Sequence, residues 1–525
     1  MIGYNTFAFF IIYFGTTFVL YSLVPKKIKW IVLLAGSYIF YFISSKGNVI
    51  QILLETLIVW AAGLAINKIN RQYKEKRKLA EKSSRKELKQ KYTKHKCAVL
   101  FTGIAAVSAI LLICKYSNFF VSTVNGIFNL SIKEVSIIQP LGISFFTLQA
   151  ISYLADVYYC RCEAEKNPFR IALYLGFMLT VVEGPVARYS QLGAQLKECA
   201  PLNFHNVVNG CVRIVWGLIK KTIIADRAVL LVSAVFDNPQ KYSGIQIIAA
   251  ILFYTLQLYC EFSGIMDVMC GLGEMMGITL PENFNQPFFA KSINEFWTRW
   301  HISLGTWLRD YIFYPISLSK PFTSLSKKAR KNFNPYYSTL IPTAAALFFV
   351  WFLNGFWHGA GWKYITYGLY YYVLMMAGLF AEPLFGKICT KLKINRKSKP
   401  FTVFQAIRTF IIVNIGMLIF RAKDLKTALY MAKASLTNIN FAVLIPGYKN
   451  GFGLSAGDYI LIAVGTVLLI TVSILKEKGI DIRAKISKMP YIAKFVLFMA
   501  MIFFVIIFGA YGEGYGVIDL IYAGF

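Results

Sequence analysis

Long apolar runs separated by short polar connectors dominate the chain of 525 residues. A helix needs about 20 apolar residues to cross the hydrocarbon of a bilayer. Runs of that character fall near 5–24, 30–44, 49–66, 98–121, 137–158, 170–182 and 208–236, and again near 244–268, 339–353, 361–380, 402–420, 457–475 and 492–510. The runs at 170–182 and 339–353 are short and are expected to be re-entrant or half-buried, which irregular backbone permits at membrane depth only inside protein or beside water. The pattern predicts an all-α, polytopic membrane protein with roughly eleven to thirteen transmembrane or re-entrant helices. No internal repeat is evident, which argues mildly against transporters built from two related halves.

Composition sharpens this picture. The chain is 57% hydrophobic and only 15% charged, where a soluble domain carries about 25% charged residues. A water-soluble globular protein is excluded. The formal charge of +31 would elsewhere suggest nucleic acid, but in a membrane protein basic residues collect in loops and report orientation, so no nucleic acid partner is expected. Thirteen Lys or Arg residues stand between 68 and 96 against Glu75, Glu81 and Glu87. This segment is expected to be cytoplasmic, facing anionic head groups, and its pattern suits a frayed, solvated helix. Counting back through three helices puts the N-terminus outside, in agreement with Lys26, Lys27 and Lys29 at the end of the first run. That run lacks both a basic region before it and a small-residue cleavage site after it, so it reads as a retained helix and not as a secretory signal. The interval 271–338 holds no convincing span and combines basic residues with Trp, Phe and Tyr, a mixture suited to folding against the membrane face. The nine cysteines are scattered and odd in number, which gives neither a disulfide framework nor a metal site.

Ionisable residues in apolar surroundings are expensive and mark candidate chemistry. Of four histidines, His95 lies in the basic segment and His205 in a polar linker. His358 stands in Asn354-Gly355-Phe356-Trp357-His358-Gly359-Ala360-Gly361-Trp362, where glycines allow close backbone approach and an imidazole can exchange a proton at neutral pH. The alternative is a buried histidine satisfied by a backbone carbonyl. His301 follows Glu295-Phe296-Trp297-Thr298-Arg299-Trp300, and on a continuous helix it would share a face with Trp297. Two histidines without a third ligand do not make a catalytic zinc site, so no metal is expected. Glu261-Phe262-Ser263-Gly264 with Asp267, Gln149 with Asp156, and Glu183-Gly184-Pro185 are further polar islands that either pair helices or line a substrate path.

Several blocks in order, Tyr259-Cys260-Glu261-Phe262-Ser263-Gly264, Pro281-Glu282-Asn283-Phe284-Asn285-Gln286-Pro287-Phe288, Phe296-Trp297-Thr298-Arg299-Trp300-His301-Ile302-Ser303-Leu304, Trp307-Leu308-Arg309-Asp310-Tyr311 and Trp357-His358-Gly359, resemble the membrane-bound O-acyltransferase (MBOAT) family. Within it the chain is most similar to the AlgI-like branch of polysaccharide O-acetylation, with the DltB-like branch that moves D-alanine toward teichoic acid as the alternative. The resemblance implies helices surrounding a central cavity, with 1–66 as N-terminal transmembrane helices, 67–97 as a basic cytoplasmic loop and 98–525 as the catalytic core with the C-terminal helices. It implies His358 and His301 as catalytic residues, and supporting roles for Asp310, Arg309, Asn354, Trp357, Glu261 and Ser263.

A multi-pass protein of the bacterial cell membrane is then expected to move an acetyl group from a cytoplasmic thioester toward an extracellular polysaccharide. No cofactor is bound on this reading; acetyl-CoA or a carrier-bound acyl group is the co-substrate. The resemblance also implies an extracytoplasmic SGNH hydrolase-like acetyltransferase partner, of the AlgJ/AlgX or DltD kind, and a polysaccharide acceptor. His358 would act as general base and His301 would polarise the thioester. No Ser or Cys has a partner base at recognisable spacing, which favours direct transfer over an acyl-enzyme. A polytopic transporter without acyl chemistry is the reading from another class.

Overall fold

A computed structural model describes residues 9–444 and 452–511. The first apolar run therefore begins outside the described residues and continues as a π-helical turn Phe9–Gly15 and a helix Thr16–Leu23. Among the described residues no named strand forms, and nine helices are long and apolar enough to cross a membrane. They are Lys26–Ser44, Ile50–Leu79, Arg85–Phe128, Gly244–Met275, Pro335–His358, Trp362–Lys391, Lys399–Arg421, Ala456–Glu477 and Tyr491–Phe508. Shorter helices such as Ile143–Tyr158 and Phe204–Leu218 accompany them. Large exposed apolar residues, among them Leu57, Phe101, Val467 and Ile507, are the lipid-facing complement expected of a protein integral to a membrane.

The chain forms two compact units. One comprises residues up to Ile214 together with Val268–Pro281; the other comprises Val215–Asp267 and residues from Glu282 onward. In the first unit the Ile50–Leu79 helix runs straight on into the basic segment, turns at 80–84 and returns as Arg85–Leu111. The predicted basic loop is thus two helical arms, tied by Tyr73 and Tyr92 with ring centroids 5.9 Å apart. The same helices pack on Ile143–Tyr158, where Thr147 donates to Glu55 at 2.8 Å and Lys115 to Ser144 at 2.9 Å. The run at 170–182 divides: a helix Pro168–Gly176 stops and an irregular, buried segment follows. Buried irregular backbone needs partners, and Ser37 and Tyr174 supply two, accepting from Met178 N at 3.1 Å and donating to Ala187 O at 3.0 Å.

Two apolar runs differ in detail from expectation. The run 339–353 is not a short re-entrant piece; it is the middle of a 24-residue helix, Pro335–His358, long and apolar enough to cross a membrane. Asn334 caps its start by accepting from Tyr337 N at 3.0 Å, and the polar residues near its ends made the apolar run read short. The run 208–236 is helical throughout but not regular: Phe204–Leu218, a π-helical turn Ile219–Ala225 and Asp226–Asp237 follow without interruption, and Lys220 and Lys221 in the π turn reach buried carboxylates.

Pro335–His358 and Trp362–Lys391 cross at glycines. A Cβ on Gly368 would lie 2.3 Å from Trp351 O, and one on Gly355 would lie 2.3 Å from Tyr364 O. Without a hydrophobic driving force inside lipid, such close backbone approach supplies the packing that joins helices. Gly378, on the same Trp362–Lys391 helix, has open space around it. Two alanine substitutions in one helix should therefore act with opposite sign. Gly368→Ala is expected to destabilise by about 1–3 kcal/mol through overpacking, and Gly378→Ala to stabilise by up to about 1 kcal/mol through helix propensity. Thermal unfolding of the full chain in detergent checks this; equal shifts would refute the packing role.

Candidate active site

His301 is placed by backbone pairing. Residues 283–285 run antiparallel to 299–302: Phe284 bridges Trp300, Asn285 N donates to Arg299 O at 2.9 Å and Ile302 N to Asn283 O at 3.1 Å. The Asn283 side chain completes the clamp, accepting from Ser303 N at 3.0 Å and donating to Met266 Sδ at 2.8 Å. The pairing breaks the helix that sequence spacing suggested through Trp297 and His301. Ile293–Arg299 ends, Trp300 is extended, and His301 adopts φ +48° before Ile302–Leu308 begins. A non-glycine residue in the left-handed region persists only where its surroundings fix it. Trp297 accordingly points elsewhere, against Trp351 and Tyr371 at 5.2 and 4.9 Å between centroids.

The His301 ring is 3% exposed and packs edge-on against Phe262 at 4.8 Å and Trp357 at 5.8 Å. Burial drives its pKa from the ordinary 6.5 down to about 3, since an imidazolium there would lose its hydration. His301 is therefore neutral at physiological pH and offers one N–H donor and one acceptor. His358 is the last residue of Pro335–His358, 4% exposed, and its ring meets Trp357 at 5.0 Å, Phe420 at 5.3 Å and Tyr367 at 5.8 Å. Both imidazoles thus share the Trp357 indole as a neighbour. One helical turn before His358, the Asn354 Oδ1 is a buried acceptor with no hydrogen-bond partner. The indole N–H of Trp297 is likewise buried and unpartnered.

The remaining nominated residues fall into two other places. Glu261 and Ser263 turn to the π-helical turn. Lys221 bonds Asp226 and stands 3.7 Å from Glu261, while Lys220 donates to Ser263 at 2.9 Å and to Asp267 at 2.6 Å. Their common neighbour in sequence, Phe262, is the residue that reaches His301. Arg309 and Asp310 pair with each other at 2.9 Å, the arginine about half exposed. Four contributors went unnominated: Asn283, Lys220, Lys221 and Phe420. The two lysines were findable, since adjacent cations in the middle of an apolar run carry a cost only buried partners can offset.

Residues 165–330 match the model of the MBOAT, membrane-bound O-acyltransferase family, a region that includes His301. A probable alginate O-acetylase AlgI of Pseudomonas putida is 33% identical over 368 residues, which covers 66% of this chain and 70% of that protein. The chain belongs to the membrane-bound O-acyltransferase family. The AlgI of Pseudomonas aeruginosa is 33% identical over 369 residues, 69% of this chain and 65% of its own length, so the chain spans about two thirds of that relative. A peptidoglycan O-acetyltransferase of Helicobacter pylori is 30% identical over 360 residues, 64% of each chain.

Two outcomes follow for this MBOAT protein. Lys221→Met leaves Asp226 and Glu261 buried without their cation and should destabilise by about 3–5 kcal/mol, seen as a lower Tm in detergent, with Lys221→Arg milder. His301, with a folded pKa below its unfolded one, adds stability above about pH 6.5 that is lost as pH falls toward 3; near pH 5 the loss is on the order of 1–2 kcal/mol. The difference in Tm between pH 7 and pH 5 should shrink in His301→Gln. An unchanged difference would show that the ring is already hydrated.

Proposed function

We propose that the protein transfers an acetyl group from a cytoplasmic thioester to a hydroxyl group destined for an extracellular polymer, a polysaccharide or peptidoglycan such as its relatives act on. The observation that carries this reading is the pair of buried imidazoles, His301 and His358, held against one indole at 5.8 and 5.0 Å. A water-poor site with two imidazoles suits attack of an alcohol on a thioester. Hydrolysis is suppressed there and hydrogen bonds to developing charge are strong.

His358 takes the proton of the acceptor hydroxyl as its oxygen attacks the thioester carbonyl. The C–O bond forms, the carbonyl electrons move to oxygen, and the neutral His301 donates its N–H to that oxyanion. The tetrahedral intermediate then collapses, the C–S bond breaks, and His358 returns the proton to the leaving thiolate. Atoms and charge balance without a metal or an acyl-enzyme. Asn354 Oδ1, one helical turn before His358, is an acceptor available to a substrate group. Both rings are only a few per cent exposed, so substrate entry requires the aromatic side chains around Trp357 to move apart, a gating step of the kind many enzymes use. Final transfer of the acetyl group from that first hydroxyl to the polymer would fall to an extracytoplasmic SGNH hydrolase-like partner.

The test is the O-acetyl content of surface polymer in cells carrying wild type, His358→Ala and His301→Ala at matched membrane levels. Loss of general-base catalysis predicts a fall of about 10²–10⁴-fold in transfer rate for His358→Ala. His301→Gln, which keeps an N–H donor, should retain more activity than His301→Ala. Unchanged acetylation in both alanine variants would overturn the assignment. Loss of ester-linked D-alanine with acetyl content intact would move the protein to the D-alanyl branch.

A further inference from the structure

The first unit contains a second polar site, away from either histidine in the chain. A cavity of about 540 Å³ opens between the loop 159–167 and the helices Pro168–Gly176 and Tyr189–Glu198. Three carboxylates, Glu163, Glu165 and Glu198, and three cations, Lys166, Arg170 and Lys197, line it. The charges sum to zero, yet they are not all mutually satisfied. Glu165 is committed: it accepts from Tyr189 Oη at 3.1 Å and from Asn167 N at 3.0 Å. Arg170 lies 3.8 Å from that carboxylate and over the Trp30 ring at 5.5 Å, but its Nε is buried without a hydrogen-bond partner.

Position narrows the occupant. The rim is tied to the basic helical arms by Arg71 to Glu163 at 3.5 Å and by Lys96 to Tyr158 O at 3.0 Å. Trp60 donates its indole N–H to Lys166 O at 3.0 Å. Tryptophan and tyrosine beside lysine and arginine mark the headgroup level of a bilayer. Phe169, adjacent to Arg170, is 61% exposed and offers apolar surface beside the polar cavity.

We propose that this cavity binds the headgroup of a zwitterionic aminophospholipid. The phosphate sits against Arg170, Lys166 and Lys197, the ammonium against Glu163 and Glu198, and the acyl chains run past Phe169. An anionic lipid would leave the carboxylates unanswered. The head of coenzyme A carries several phosphates and no cation, and would set them against three carboxylates. A trimethylated ammonium has no N–H to donate, so the ethanolamine type is favoured over the choline type.

Native mass spectrometry of the detergent-purified full chain, titrated in turn with short-chain phosphatidylethanolamine, phosphatidylcholine, phosphatidylglycerol and coenzyme A, tests the assignment. Phosphatidylethanolamine should bind with unit stoichiometry and at least about tenfold more tightly than the other lipids, the factor lost with one charge-assisted hydrogen bond. Arg170→Gln removes a phosphate partner common to all three lipids and should lower the affinity for each. Because that variant also loses its contact with Glu165, the exposed Glu198→Gln and Lys197→Gln serve as a second arm, each expected to lower affinity for phosphatidylethanolamine while Tm without lipid stays unchanged. Equal binding of the three lipids, tighter binding of phosphatidylglycerol, or displacement of lipid by coenzyme A would each overturn the proposal. None of these outcomes depends on acyl transfer, so the reading of the histidine site stands or falls separately.

Discussion

Hydrogen bonding of buried, non-helical backbone is the constraint on which the histidine site rests. A buried peptide group left without a partner costs about as much as a lost hydrogen bond, so a left-handed residue such as His301 persists only where the chain around it is engaged. Asn283 does most of this, its carbonyl and its side chain taking the first two N–H groups of the helix that follows the histidine. The Phe284 bridge to Trp300 fixes the approach from the other side. What reads in the sequence as two separate motifs, one rich in Asn and Phe and the other in Trp, Arg and His, is one structural piece whose product is the direction of an imidazole.

The charged groups solve a related problem with a different solution. Lys220 and Lys221 would be intolerable in an apolar run unless carboxylates met them, and a regular α-helix cannot aim two consecutive side chains at partners on one neighbour. The π-helical turn Ile219–Ala225 re-aims them, and Arg227 donates to the carbonyls of Thr222 and Ile223 inside that turn at 3.0 and 3.4 Å. With Glu261 and Ser263 engaged by these lysines, Phe262 is left to pack against His301. The ion network acts on the site only at this remove, through helix placement.

Much of the architecture was legible in the chain because hydropathy responds directly to lipid: the runs at 244–268, 402–420 and 457–475 each fall within one longer helix, and those at 49–66, 361–380 and 492–510 each fall within one helix except for one or two residues at an end. Run length misled where polar residues sit inside a span, as with Asn354 and Ser338 in Pro335–His358. The site was legible as residue types, His301 and His358 with Trp357, and not as geometry. Helical periodicity assigned His301 a face beside Trp297, whereas a long-range backbone pairing with residues 283–285 decides its conformation, and no local pattern announces that pairing. Glu261 and Ser263 stood out as polar groups in an apolar context; the structure gives them partners in two lysines some forty residues earlier.

Trp357 gives the two histidines a common wall. His301 and His358 come from distant stretches of the chain, and the indole is the neighbour their rings have in common. A substitution at Trp357 therefore alters the surroundings of both rings at once, whereas Phe262 borders His301 and Phe420 borders His358.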